Sequence, residues 1–176
     1  MTRCDKAREL RWVGAADPLV RPLLDELAHE YETRYGPNDE MSNTAPDDFE
    51  PPEGGLVLLL EGSGAVAGGG FRRIDETTAE IKRVWTHSAH RRRGYARTVL
   101  VELERAAVAA GYRLIRLTTG PRQPEAAGLY LTSGYEPKYD ITADPATLPY
   151  LTFEKVLADG RAGDGDRDDR RVAVED

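Results

Sequence analysis

Cysteine is nearly absent: Cys4 stands alone in the chain. A lone cysteine excludes an internal disulfide and a thiolate zinc site, and its place near the chain start argues against catalysis. Long apolar runs are also missing. The longest, Leu56 to Leu60, falls far short of the roughly 20 residues a membrane-spanning helix needs. Met1 to Lys6 lacks the apolar stretch of a secretory signal, so the expectations are a cytoplasmic protein and no membrane partner. Positive charge is outweighed, with 24 Lys and Arg against 31 Asp and Glu and a net charge of -7. That balance disfavours a general nucleic-acid partner. No internal repeat is visible. What is present, 40% hydrophobic and 31% charged residues over 176 positions, suits one domain with a real core.

A strand is expected around Leu10 to Val13. Asp17-Pro18 reads as a cap and first-turn proline, and Val20, Leu23, Leu24, Leu27 and Tyr31 recur at helical spacing until Gly36-Pro37. Residues 38–53 show no periodicity and carry six acids with no Lys or Arg. A loop of that length inside a compact domain is functional or disordered as a rule. Leu56 to Glu61 and Ala65 to Arg72 read as a hairpin around Gly62-Ser63-Gly64, followed by a strand from Ala79 to Thr86. A helix is predicted just after Gly94, with Leu100, Leu103, Ala107 and Ala110 as its buried stripe and Gly111 at its end. A strand from Tyr112 to Thr118, a short helix from Pro124 to Thr132, and strands near 135–141 and 150–157 complete the order. The fold class is therefore α/β (α+β): a mixed sheet with helices on its faces, in a single domain over residues 1–157. Residues 158–176 hold seven acids and four arginines among glycines, a composition that predicts a disordered charged tail.

The strand ending at Thr86, the basic turn Arg91-Arg92-Arg93-Gly94-Tyr95-Ala96 and the helix behind it make an anion site. Free backbone N–H groups and the positive end of the helix dipole both point at the ligand there. Gly94 allows close backbone approach, and the three arginines add charge at the rim. Other phosphate loops do not fit. The chain has no G-x-x-x-x-G-K-[ST] run, and Gly68-Gly69-Gly70 lacks the spacing of a dinucleotide fingerprint.

The run from Ala79 to Thr86, then Arg91 to Ala96, resembles the acetyl-CoA motif of the GNAT N-acetyltransferase superfamily, written [QR]-x-x-G-x-[GA] after a strand. Downstream, Gln123 to Ala126 and Leu129 to Tyr135 are similar to its N-x-x-A-x-x-x-Y-x-x-x-G-[FY] segment. The resemblance implies a mostly antiparallel sheet, flanked by helices and splayed at the acetyl-CoA site. It also implies that backbone groups of Val84, Trp85 and Thr86 pair with the pantetheine arm like an added strand, and that amides from Arg92 to Ala96 surround the pyrophosphate. A backbone N–H near Val84 or Trp85 would polarise the thioester carbonyl.

Tyr130 matches the tyrosine that protonates the departing thiolate in many members; the alternative is a tyrosine packed against the coenzyme. Glu80 stands where some members place a general-base glutamate; the alternative is a pair with Lys82, Arg83 or an arginine of a neighbouring strand. Gln123 replaces the family's usual Asn, which leaves its contact with the pantetheine open. Trp85 is either core or a wall of the acceptor pocket. His87 and His90 read as loop histidines, since no third metal ligand is placed and arginines follow. No metal is expected.

The implied activity is transfer of an acetyl group from acetyl-CoA to a primary amine of a small molecule or peptide. The six acids of residues 38–53 point to a cationic acceptor, if that segment walls the acceptor site. A homodimer is compatible with the resemblance. The rival class is a non-catalytic acyl-CoA sensor on the same fold, and a third is a phosphate- or nucleotide-binding regulator.

Overall fold

The computed structural model of the chain describes residues 7–158; all but the first residue of the predicted tail lies outside them. Strand β1 (Arg8–Val13) leads through a 3-10 turn at Pro18–Val20 into helix α1 (Arg21–Tyr35). Asp17 caps that turn, accepting from Leu19 N at 2.9 Å, and Pro22 sits in the first turn of α1 proper. Strands β2 (Gly55–Glu61), β3 (Gly64–Arg73) and β4 (Thr78–Thr86) form a meander. Helix α2 (Tyr95–Ala109), strand β5 (Leu114–Thr119), helix α3 (Pro124–Thr132) and strands β6 (Glu136–Pro137) and β7 (Leu151–Val156) follow. The strands form one sheet in the order β1-β2-β3-β4-β5-β7-β6. Among the described residues only β4 and β5 run parallel, so the expected mixed, mostly antiparallel sheet is what the chain makes.

The unbroken run Leu56 to Leu60 has a reason. Val57 and Leu59 join the core under α2 and α3, while Leu56, Leu58 and Leu60 join the core under α1. With both faces covered, the alternation of a half-exposed strand disappears.

Two sequence expectations need correction. Ala110 is exposed and ends α2 rather than extending its buried stripe, which runs through Tyr95, Val99, Leu100, Leu103 and Ala107. The strand expected over residues 135–141 shrinks to Glu136–Pro137. Pro137 cannot donate to a ladder, and Asp140 and Asp144 each fold the chain into a turn by accepting an N–H two residues on. The acidic segment also contains a feature that periodicity could not show: a 3-10 turn at Pro46–Phe49 that buries Phe49 completely.

Between β3 and β4 the register breaks. Gly68 faces Trp85 and Gly70 faces Lys82, so Arg83 and Val84 together oppose Gly69. This is a β-bulge, and Arg83 takes a left-handed conformation (φ 58°) to make it. The extra residue changes which face each side chain meets: Ile81 points into the α2 core and Trp85 into the α1 core. The Arg83 guanidinium turns to the acidic segment, donating to Met41 O at 3.1 Å and Thr44 O at 3.5 Å, with its charge over the Phe49 ring. Arg83→Met should therefore cost about 1–3 kcal/mol, because it leaves half-buried carbonyls without a donor. Urea denaturation measures this, and a loss below about 0.5 kcal/mol, the range of neutral surface changes, would contradict it.

Candidate active site

β4 and β5 pair only from Thr78 to Glu80, opposite Leu114 to Arg116. Beyond that point β5 stays with β7 as far as Thr119, and β4 stays with β3. The two strands splay. The free edge of β4 at Val84, Trp85 and Thr86 borders a cleft of about 630 Å³, closed by Arg91, Arg92, the start of α2, the inner side of α1 and the start of α3.

The basic turn lies at one end of this cleft. Gly94 is the residue before α2 and is left-handed (φ 77°), with no side chain capping the helix start. The first amides of α2 are thus without a side-chain partner, and they face the cleft through Gly94, Tyr95, Ala96 and Arg97. A side chain at position 94 would meet no atom within 4 Å, so there is room for a ligand against the backbone. Arg91 and Arg92 line the cleft; Arg93 is exposed and does not. The Tyr95 ring is buried, stacked on His90, with its hydroxyl 3.3 Å from Glu61. Only its backbone is available to a ligand.

The histidines hold the turn. His87 Nδ1 accepts from Ala89 N at 3.1 Å, and His90 Nε2 lies 3.4 Å from Glu61. Trp85 is resolved as core: it is 3% exposed and its indole donates to Glu26 at 3.1 Å. Burial works to raise the Glu26 carboxyl, but bonds from Ser88 and Trp85 outweigh it and hold the group below its ordinary value. An unpaired strand edge, an uncapped helix start and rim arginines are what a pantetheine arm and a pyrophosphate require.

Tyr130 rises from α3 into the same cleft. Its ring packs against Tyr135 and Phe153. Among the described residues, no protein group bonds its hydroxyl. Burial pushes the phenol well above its ordinary value. Tyr31 of α1 lies near enough to couple to it, and burial, with help from Glu30 and Glu40, pushes that phenol up to about 12.

Glu80 is elsewhere. It does not line the cleft; Arg72 Nε donates to it at 2.9 Å and Lys82 Nζ lies at 3.9 Å. Of the alternatives left open by the sequence, the arginine of a neighbouring strand is the hydrogen-bonded partner and Lys82 the looser ion pair. The acidic segment does not line this cleft either. Asp48 pairs with Arg72 and Glu53 with Arg73, and these residues border a separate hollow of about 420 Å³. Asp39, Glu40, Asp47 and Glu50 enter no ion pair among the described residues.

Gln123 does line the cleft, just before α3. Sequence reasoning missed its neighbours on α1. Arg34 pairs with Glu30 at 2.9 Å and with Glu125, and Tyr35 approaches Gln123. The i, i+4 spacing of Glu30 and Arg34 was a visible signal of a helix-face pair. Their reach to α3 was not visible, because it depends on how α1 lies over the splay.

Other proteins share this fold. A candidate acyl-CoA N-acyltransferase from Klebsiella pneumoniae superposes with a TM-score of 0.68 at 24% identity, over 86% of this chain and 98% of that one. An aminoglycoside 6'-acetyltransferase of type Ii gives 0.65 at 18% identity, over 85% and 97%. The PaiA N-acetyltransferase of Thermoplasma acidophilum, solved with coenzyme A, gives 0.65 at 13% identity, over 85% and 99%. No curated protein matches the chain by sequence. The sequence profile of the Acetyltransferase (GNAT) family does match, over residues 21–135, from α1 through the Tyr130 segment. The chain belongs to the GNAT acetyltransferase family.

Proposed function

We propose that the chain is an N-acetyltransferase that moves an acetyl group from acetyl-CoA directly to a primary amine held in the same complex. The observation that carries this reading is the splay of β4 from β5. It frees a strand edge beside a cationic helix start and opens a cleft that Tyr130 also lines. The bulge at Arg83-Val84 re-aims the backbone at the head of that edge. An N–H there can stabilise the oxygen that gains charge as the amine attacks. The amine attacks as its free base; as the carbon–sulfur bond breaks Tyr130 gives its proton to the sulfur, and the phenolate takes back the proton that the new amide nitrogen sheds. Burial raises the phenol above its ordinary value, so it carries that proton through neutral pH.

The acceptor is a cationic amine of a small molecule or peptide. Asp39, Glu40, Asp47 and Glu50 lie outside the cleft and are free of ion pairs among the described residues, so they can draw a cation toward the domain only through their long-range field. The names of the aminoglycoside and PaiA enzymes, which share the fold, are in keeping with amine acetylation.

Glu80 serves the sheet in this account. Glu80→Gln should leave kcat within about threefold of the parent, whereas loss of a general base costs about 10²-fold or more. Steady-state kinetics decide between them.

The function itself is tested by thiol release from acetyl-CoA across a panel of amines, at low and high salt. Turnover on cationic amines, weakened by salt, is expected. Binding without turnover on any amine would mark a sensor, and equal affinity for ATP would mark a nucleotide-binding regulator; either result overturns the proposal.

A further inference from the structure

The last residue of α1 reaches across the splay into the turn that joins β5 to α3. Tyr35 Oη accepts from Arg122 N at 3.1 Å and lies 3.4 Å from Gln123 Oε1. The same oxygen of Gln123 accepts from Thr119 Oγ1 and from Gly120 N, each at 3.2 Å. A backbone N–H can only donate, so the amide oxygen must face the turn. The Gln123 NH2 group is then left on the cleft side, and it donates to no protein group among the described residues.

Space is as specific as the bonding. A Cβ on residue 120 would fall within 2.0 Å of the Tyr35 hydroxyl, so Gly120 is the cradle in which that hydroxyl sits. Next door, Arg34 Nη1 donates to Arg122 O at 2.7 Å and Arg122 Nη1 to Arg34 O at 2.8 Å, while Arg34 pairs with Glu125. The end of α1 is clasped to the turn before α3 and its first residues through Arg122, Gln123 and Glu125. Tyr35 is the member of that clasp that touches Gln123.

We propose that Tyr35 is a positioning residue for the coenzyme: seated over Gly120, it holds the Gln123 amide so that its NH2 group is presented to a carbonyl of the pantetheine arm. This rests on the acetyl-CoA reading of the cleft. It also explains how a glutamine serves where the family pattern has an asparagine, since the longer side chain is folded back and tied at its oxygen.

The test is a double-mutant cycle on acetyl-CoA affinity by calorimetry, with kcat measured beside it. Tyr35→Phe keeps the ring and removes one bonding group, and should raise the Kd about five- to tenfold. Gln123→Ala should raise it about tenfold, and the double variant should bind no worse than Gln123→Ala alone. In each, kcat at saturating acetyl-CoA should stay within about twofold, a KM-against-kcat split that general loosening of the fold would not give. Gly120→Ala should reproduce Tyr35→Phe by evicting the hydroxyl. Additive effects, or an unchanged Kd in Tyr35→Phe, overturn the proposal. A second readout needs no coenzyme: in the free protein, Tyr35→Phe should shift the Gln123 side-chain amide resonances toward those of an exposed glutamine, and unmoved resonances also overturn it. Failure of the parent protein to bind acetyl-CoA in the same titration counts against the function reading, separately from the amide result.

Discussion

Gly94→Glu should abolish acetyl-CoA binding, raising the Kd by at least about 10²-fold, while the protein still folds. Two causes act together. Residue 94 is left-handed at φ 77°, a conformation that costs a residue with a Cβ about 1–2 kcal/mol. For a chain of this size that is a fall in Tm of several degrees, about 2–4 °C per kcal/mol. The larger effect is on the ligand. The new carboxylate would stand in the open space beside the uncapped start of α2, where the pyrophosphate is proposed to lie, so it would block the site and repel the charge. Gly94→Ala separates the two causes, because it keeps the backbone cost without the charge. Its Tm should fall as far, and its Kd should rise by no more than about tenfold. Equilibrium dialysis with a melting curve reads both. Retained affinity in Gly94→Glu would remove the turn from the coenzyme site.

Tyr130→Phe should lower kcat by about 10²-fold or more and change the KM for acetyl-CoA by less than about threefold, the pattern of a lost proton donor. The ring stays, so packing against Tyr135 and Phe153 is kept. The pH profile adds a sign. Burial raises the phenol above its ordinary value of about 10, so the proton-bearing form is full on the acid side and through neutral pH. In the parent, kcat/KM should climb with pH as the acceptor amine loses its proton, with no falling limb below about pH 10, near the ordinary phenol value. A descending limb below that, or an unchanged kcat in Tyr130→Phe, would take Tyr130 out of the reaction.

Much of the site could be read in the sequence, for physical reasons. The basic turn, Gly94 and the helix behind it are close together in the chain, and local bonding rules decide them. Tyr130 was singled out because its segment resembles the family's N-x-x-A-x-x-x-Y-x-x-x-G-[FY] pattern, and the helix that carries it starts at Pro124 and stops before Gly134. What escaped depends on contacts between distant segments. Glu80 meets Arg72 only through the register of β3 on β4. Phe49 is buried because Gly70 leaves room beneath it. Half of the clasp between Tyr35 and Gln123 lies at each end of the domain, 88 positions apart. The brevity of β6 follows from one proline and two aspartate turns. The acidic segment was read as one wall, but ion pairs with β3 split it: Asp48 and Glu53 are neutralised, and four other acids are not.

The central claim is that the free edge of β4 and the turn before α2 hold one acyl-CoA between them. Backbone hydrogen exchange, followed with and without acetyl-CoA, tests it most directly. Peptides spanning residues 81–86 and 91–97 should slow together and by similar factors, ATP should slow only the second, and β1 should be unaffected. Exchange that slows at neither peptide, or at the turn alone with acetyl-CoA, would contradict it.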